Sequence, residues 1–436
     1  MITLEIFQKR RQTLINHMAP NSAALFFSEP ELIRNNHIYH YRQNSNLWYF
    51  TGFNESQVLL MLIKKNATYN HSVLFNQPRS LLEEVWFGCR LGQEDAIIKQ
   101  GVNQALPWNS IHEKLPQFLN GIDIIYHAQG ENQKADKILF SIIEKMRCRL
   151  NRNVNAPHTM IDWRPWVHEM RLFKSQEEIN ILRQAGKITA LAHNHTMKIC
   201  RPGMFEYQLE GEIYHEFNKH GARFPSYNAI VGSGKNSCIL HYTKNGNIIQ
   251  NNDLVLIDAG CELYGYACDV TRTFPVNGQF NRSQKVLYSI VLAAQNKALS
   301  MFKPGITIQK VYDEVVRILT LGLINLDIIK GNLDTLLKKQ AYYPFFMHNL
   351  SHWLGLEVHD VGDYGTAEHD RVLEPNMVLT VEPGLYFSAD NINIPTHYRG
   401  IGIRIEDSII ITTDGNENIT NYAVKDIIDI EKLMSM

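Results

Sequence analysis

The chain has 436 residues, with 43 Lys plus Arg against 44 Asp plus Glu, so it carries no general field for nucleic acid or an anionic membrane. Apolar residues make up 44% and charged residues 20%, the balance of an ordinary globular protein with length for two or three domains. No run of about 18 apolar residues occurs, which excludes a membrane-spanning helix.

The stretch Met1–Met18 carries Glu5, Lys9, Arg10 and Arg11 and has no apolar h-region, so no signal peptide is expected. The six cysteines form no C-x-x-C pair; in a chain of this length they read as free thiols in a reducing compartment, and the cytoplasm is the expected location. Residues 46–53, Asn-Leu-Trp-Tyr-Phe-Thr-Gly-Phe, read as a strand ending at a glycine turn, and the aliphatic run 58–63 as a buried strand. The first 150 or so residues hold no chemical constellation and read as an α/β domain in a supporting role. A boundary is expected near residues 155–175, where Asn155-Ala156-Pro157 and Trp163-Arg164-Pro165-Trp166 interrupt any regular pattern.

Ser175-Gln176-Glu177-Glu178 is a capping box followed by Ile179, Leu182 and Ala185 at helical spacing, so a long helix opens a second unit at about residue 176. That unit holds a weak internal repeat. Helical stretches break at Arg201-Pro202-Gly203 and again at Lys303-Pro304-Gly305. Leu254-Val255-Leu256-Ile257-Asp258-Ala259-Gly260 resembles Val378-Leu379-Thr380-Val381-Glu382-Pro383-Gly384. In both, an apolar strand delivers an acid just before a small-residue turn, which suggests a pseudo-symmetric domain with its site between the halves.

A carboxylate closing an apolar strand is costly to bury unless it is paired or bound to metal. Asp269 follows Asp258 by eleven residues with Gly265 between them, so a hairpin is expected. A loop of two or four residues would set Asp258 directly opposite Asp269, and a three-residue loop would put them on opposite faces. In Gly400-Ile401-Gly402-Ile403-Arg404-Ile405-Glu406-Asp407 the alternation puts Arg404 and Glu406 on one strand face, where Arg404 could hold a ligand carboxylate with a bidentate hydrogen bond. Taken singly, each acid reads as a solvated strand end or a salt bridge. Four together, Asp258, Asp269, Glu382 and Glu406, point to a cation.

Three of the 18 histidines fall between Met347 and Asp360: His348, His352 and His359. His348 and His352 have i, i+4 spacing, but Asn349 stands where H-E-x-x-H needs its Glu. One imidazole with four carboxylates suits Mn2+ or Co2+, and also Zn2+. His241, as a lone residue, reads as structural more readily than as catalytic. Gly232-Ser233-Gly234-Lys235 has the look of a phosphate loop, but Ala229 and Asn236 occupy two required positions, so the match fails. There is no G-x-S-x-G elbow, which speaks against a serine hydrolase.

Ser351-His352-Trp353-Leu354-Gly355, Thr380-Val381-Glu382-Pro383-Gly384 and Arg404-Ile405-Glu406-Asp407, with Asp258 and Asp269 in order before them, resemble the pita-bread metallopeptidases. Trp48-Tyr49-Phe50-Thr51-Gly52-Phe53, Trp86-Phe87-Gly88 and Asp162-Trp163-Arg164-Pro165 extend the likeness over nearly the whole chain, toward the bacterial Xaa-Pro aminopeptidases. The resemblance implies an α/β (α+β) fold: a creatinase-like N-terminal domain over residues 1–172, serving oligomerisation and substrate access, and a pseudo-two-fold pita-bread catalytic domain over 173–436. It implies two divalent ions, Mn2+ first with Co2+ or Zn2+ as alternatives, on Asp258, Asp269, His352, Glu382 and Glu406. Glu382 doubles as the base, and His241, His348, His359 and Arg404 act around the metals. The implied substrates are peptides with proline second, with no nucleic-acid or membrane partner, in a homo-dimer or tetramer whose Trp86 borders a neighbour's site. Rival readings are a proline dipeptidase on the same fold and an inactive peptide-binding module. Two departures from the family pattern are Cys268 beside Asp269, and Asn349 in place of glycine.

Overall fold

The computed structural model describes residues 2–35, 37–148, 153–366 and 368–435, in two compact units, Met1–Met170 and Arg171–Met436.

The first unit is built on a six-stranded mixed sheet, in the order Gln104–Pro107, Asn70–Asn76, Leu59–Lys64, Ser22–Phe27, Ile124–Tyr126 and Thr159–Ile161. The three long strands pair antiparallel, and the outer ones add in parallel. Alternation sorts the side chains to two faces. Ala23, Leu25, Phe27, Met61, Ile63, Val73 and Phe75 pack with Leu115, Leu119, Leu139 and Ile142 of the helices Ile111–Leu119 and Gln133–Arg147. On the other face Phe26 lies 4.7 Å, ring to ring, from both Phe50 and Trp163.

The run 58–63 is a buried strand, as expected. The aromatic run 46–53 is not: Ser45–Thr51 is a helix. The Asn44 side chain accepts from the N–H groups of Asn46 and Leu47, and Gly52 closes the helix in the left-handed conformation at φ 62°, so both ends are capped. Leu47 and Phe50, three apart, are fully buried. Caps and an i, i+3 pair outweigh the strand preference of consecutive aromatics.

In the second unit the capping box is formed. Ser175 accepts from Glu178 N–H, Glu178 accepts from Ser175 N–H, and the helix Gln176–Ile199 follows. It packs on the helix Glu206–Lys219, and a three-stranded sheet of Ile230–Ser233, Leu254–Asp258 and Thr271–Pro275 completes the first half. The second half repeats the plan with the helices Arg282–Met301 and Ile308–Asn325 and the strands Val378–Val381, Asp407–Ile411 and Asn416–Asn418. Both helix joints turn on a left-handed glycine, Gly203 at φ 91° and Gly305 at φ 86°. The halves meet where Arg404 N–H donates to Thr273 Oγ1 (3.2 Å) and Glu406 N–H to Thr271 O (3.0 Å).

The hairpin between the first two acids exists, with a two-residue turn at Tyr264-Gly265, but its register differs from the expectation. Leu263 pairs with Tyr266, and Asp258 pairs with Thr271 rather than with Asp269. A two-residue turn centred there sums the paired residue numbers to a value two higher than an Asp258–Asp269 pairing needs. Asp269 is displaced by two residues, an even step, so the pleat still sends both carboxylates to the same side.

Candidate metal centre

Short strand ends and one irregular segment deliver the acids and imidazoles. Asp258 closes the strand Leu254–Asp258. Glu382 directly follows Val378–Val381, and Glu406 lies between Ile401–Arg404 and Asp407–Ile411. The segment 350–354 runs alongside 378–382: Thr380 N–H donates to His352 O (3.0 Å) and Glu382 N–H to Leu350 O (2.9 Å). That pairing sets His352 beside Glu382. His348 and His352 are therefore not on a helix, and their i, i+4 spacing has no helical meaning.

Asp258, Asp269, His352, Glu382, Glu406, His241, His348, His359 and Arg404 all line one cavity of about 1240 Å3. Within it Asp269, His352 and Glu406 offer ligand atoms that lie within 4.8 Å of one another. His352 Nδ1 faces Trp353 O at 3.0 Å and can only donate to it. Its Nε2 is thereby turned to Asp269 Oδ2 (3.4 Å) and Glu382 Oε1 (3.5 Å), the orientation in which a second hydrogen bond fixes a ligating imidazole.

The electrostatics fit a divalent cation. Burial, with too little compensation from His352 and Arg404, raises Glu382 to about 7. Burial and the neighbouring Asp269, Glu382 and Asp258 push Glu406 well above its ordinary range. Asp258 is raised by burial despite Arg404. His352 is pulled down by burial, yet the hydrogen bond it donates to Asp269 and the charge of Glu382 carry it up to about 9. Carboxylates that resist ionisation beside an imidazole that gathers a proton mark a place short of positive charge. Oxygen donors with a single imidazole nitrogen suit a divalent cation.

Arg404 is 4% exposed, and its three nitrogens go three ways: Nη2 to Asp258 Oδ2 (2.6 Å), Nε to Thr271 Oγ1 (3.0 Å) and Nη1 to Tyr386 OH (2.9 Å). The bidentate grip expected from the sequence is instead a one-point contact, because the fork is shared. Tyr386 OH also meets His348 Nε2 (2.9 Å). Burial lowers His348 to about 3, so its ring is neutral. His359 lies 4.4 Å from the His352 ring, centroid to centroid, and burial lowers its pKa.

Three residues of this centre carried no sequence signal. Tyr227 OH sits 2.5 Å from Asp258 Oδ1 and also contacts Asp269 Oδ1; one phenolic proton serves two carboxylates. Thr271 Oγ1 donates to Glu406 Oε2 (2.7 Å) while accepting from Arg404. Tyr386 joins Arg404 to His348. Tyrosine and threonine recur everywhere in chains, and only the register that sets Thr271 opposite Asp258 could have pointed to one of them.

Residues 180–413 match the model of metallopeptidase family M24, and residues 7–126 match the aminopeptidase P N-terminal domain. The chain is 59% identical to the Xaa-Pro aminopeptidase of Escherichia coli (strain K12), over 99% of this chain and 98% of that one. It is 47% identical to the Haemophilus influenzae enzyme of the same name, over 99% and 97%. Zn-substituted E. coli aminopeptidase P in complex with product superposes with a TM-score of 0.98 at 59% identity, covering 100% of this chain and 98% of that one. With both domains matched and the fold superposing over its full length, the chain belongs to metallopeptidase family M24, in its aminopeptidase P branch, and is a metal-dependent aminopeptidase.

Proposed function

We propose that the chain releases the first residue of peptides whose second residue is proline, with two divalent ions, Mn2+ first, held by Asp258, Asp269, His352, Glu382 and Glu406. The observation that carries this reading is the convergence of these five side chains, together with His241, His348, His359 and Arg404, on one cavity of about 1240 Å3. When bound, such ions lower the pKa of water toward neutrality and polarise a carbonyl. Asp258, Asp269, His352, Glu382 and Glu406 would hold these ions between them, the group of Asp269, His352 and Glu406 bringing its ligand atoms within 4.8 Å of one another. Glu382 takes the proton of the attacking water at a carboxylate oxygen. Asp258, held by Arg404 and Tyr227, marks the end that receives the free amino group, which limits cleavage to one residue. His359 and His241 stabilise the charge that develops on the carbonyl oxygen, and neutral His348 lines the pocket. The Xaa-Pro bond is a tertiary amide with no N–H, so a site for it needs no acceptor at that nitrogen.

The helix Leu81–Phe87 supports the proposal of a dimer or tetramer, with its N-terminal domain serving assembly and access. Leu81, Leu82, Val85 and Trp86 are each more than 80% exposed on it, more apolar surface than one helix of a monomer ordinarily shows. No described helix is long and apolar enough to cross a membrane, and a cytoplasmic location is proposed.

The experiment is hydrolysis of a Xaa-Pro-Xaa tripeptide and of a Xaa-Pro dipeptide by metal-stripped protein, with and without Mn2+. Metal-dependent release of the first residue from the tripeptide is expected. Cleavage of the dipeptide alone would make the activity that of a proline dipeptidase, and cleavage of neither would leave a binding module.

A further inference from the structure

The segment Gly232-Ser233-Gly234-Lys235, which fails as a phosphate loop, supplies two donors, both from Ser233, to the buried carboxylate of Glu206. Glu206 opens the helix Glu206–Lys219 and is 0% exposed. Its Oε1 accepts from Ser233 N–H (2.8 Å), Ser233 Oγ (2.8 Å) and Asn236 Nδ2 (2.9 Å). Its Oε2 accepts from Tyr242 OH (2.8 Å) and Asn247 N–H (2.9 Å). Five donors on one carboxylate fill its lone-pair sites.

These donors span the segment that carries His241. Ser233 and Asn236 lie before it, Asn247 closes it, and Tyr242 is its next neighbour. His241 itself is exposed to the cavity, so the backbone on either side must aim it. Tyr242 is 8% exposed and packs with Ile230, Leu256 and Tyr386. Tyr386 is the residue that meets Arg404 and His348, so the ring held by Glu206 also abuts the metal centre's support.

We propose that Glu206 is the positioning residue for His241: through Ser233, Asn236, Tyr242 and Asn247 it fixes the loop that presents this imidazole to the substrate carbonyl. The proposal rests on the reading of His241 given above. Glu206 touches neither substrate nor metal. Replacing it by Gln keeps the volume but turns an acceptor oxygen into a donor NH2 that faces existing donors, and a buried unmatched donor is costly.

The test is a double-mutant cycle on the Mn2+-loaded enzyme with a Xaa-Pro-Xaa tripeptide, comparing wild type, Glu206→Gln, His241→Ala and the double variant. Glu206→Gln is expected to lower kcat/KM about tenfold, a change of the size that one lost buried hydrogen bond produces, with unchanged metal content. Amide exchange should speed up in residues 234–247. In the His241→Ala background Glu206→Gln should cost nothing further. A cost that persists undiminished in that background overturns the proposal while leaving the role of His241 standing. An unaffected His241→Ala enzyme overturns the reading of His241 and the proposal with it. Tyr242→Phe, which removes a single donor, runs the same cycle if Glu206→Gln does not fold, with the same two outcomes deciding.

Discussion

Thr271 shows how much one hydroxyl can hold at the residue scale. It donates its one hydroxyl hydrogen bond to Glu406 Oε2 and accepts one from Arg404 Nε, and so bridges the two side chains. Thr271→Val preserves the shape but leaves a buried carboxylate oxygen and a guanidinium N–H without this partner, at about 1–3 kcal/mol for a buried group. Residues that orient ligands from behind typically change metal affinity by about 10–100-fold. The expected outcome is therefore weaker Mn2+ binding by about tenfold or more in a calorimetric titration of the stripped protein, with the fold intact by circular dichroism. An affinity equal to that of wild type would show that Glu406 is held without Thr271. The residues legible in the sequence were those whose type is out of place in its setting: acids ending apolar strands, and three histidines in one short segment. Tyr227, Thr271 and Tyr386 act through hydroxyls that suit a core equally well, so their type gave nothing away.

The hairpin between Asp258 and Asp269 works only because the chain can approach itself closely. A Cβ built on Gly260 would lie 1.7 Å from Cys268 O, a backbone atom that no rotamer change can move. Gly260→Ala must therefore spread the hairpin. Overpacking of this kind costs about 1–3 kcal/mol and occasionally more, and a unit of this size loses about 2–4 °C per kcal/mol. A fall in Tm of roughly 5 °C or more, or insoluble expression, is expected. Gly211, inside the helix Glu206–Lys219, has nothing within 4 Å of a built Cβ, and Gly211→Ala should be neutral or stabilise by about 0.5–1 kcal/mol. Equal behaviour of the two variants in a thermal melt would refute the close-approach argument. Elements were legible where local signals agreed, as at the Ser175–Glu178 capping box and the aliphatic strand at 58–63. They were misread where the deciding feature was a cap, as with Asn44 and Gly52 around the aromatic helix, or a register, as with Asp258 against Thr271. A pattern of side chains reports which face is buried; it does not count the residues in a turn.

The whole molecule balances 43 basic against 44 acidic residues, yet the second unit buries its charges unevenly. Some acids are compensated within the chain. Asp360 is held by Arg171 (2.5 Å) and Lys174 (3.1 Å), and Asp407 by Arg272 (2.6 Å) and Lys425 (2.7 Å). Both carboxyls lie below their ordinary value, the cations outweighing burial, and they add stability that is kept until the pH falls below about 4. The metal centre has the opposite sign. Glu382 rises from 4.5 to about 7 through burial and the crowding of Asp269 and Asp258. Its charged form is therefore disfavoured in the fold; the penalty is complete above pH 7 and relieved as the pH falls from 7 toward 4.5. His352, raised from 6.5 to about 9 against the pull of burial by Asp269 and Glu382, contributes stability that is complete below pH 6.5 and lost as the pH climbs through 9. Both groups make the metal-free protein weaker at neutral and alkaline pH than in mild acid. Under the proposed ligand assignment, metal binding needs these same groups deprotonated, so protons compete with the ions. The gap in Tm between Mn2+-loaded and stripped protein should accordingly be widest near pH 8 and close as the pH falls toward 5. Asp360 and Asp407 are common to both forms and drop out of that difference. Melting both forms by calorimetry at pH 8, 7, 6 and 5 measures it directly; a gap that stays constant across this range would mean that the ions bind without displacing protons from Glu382 or His352, and that these two residues are not their ligands.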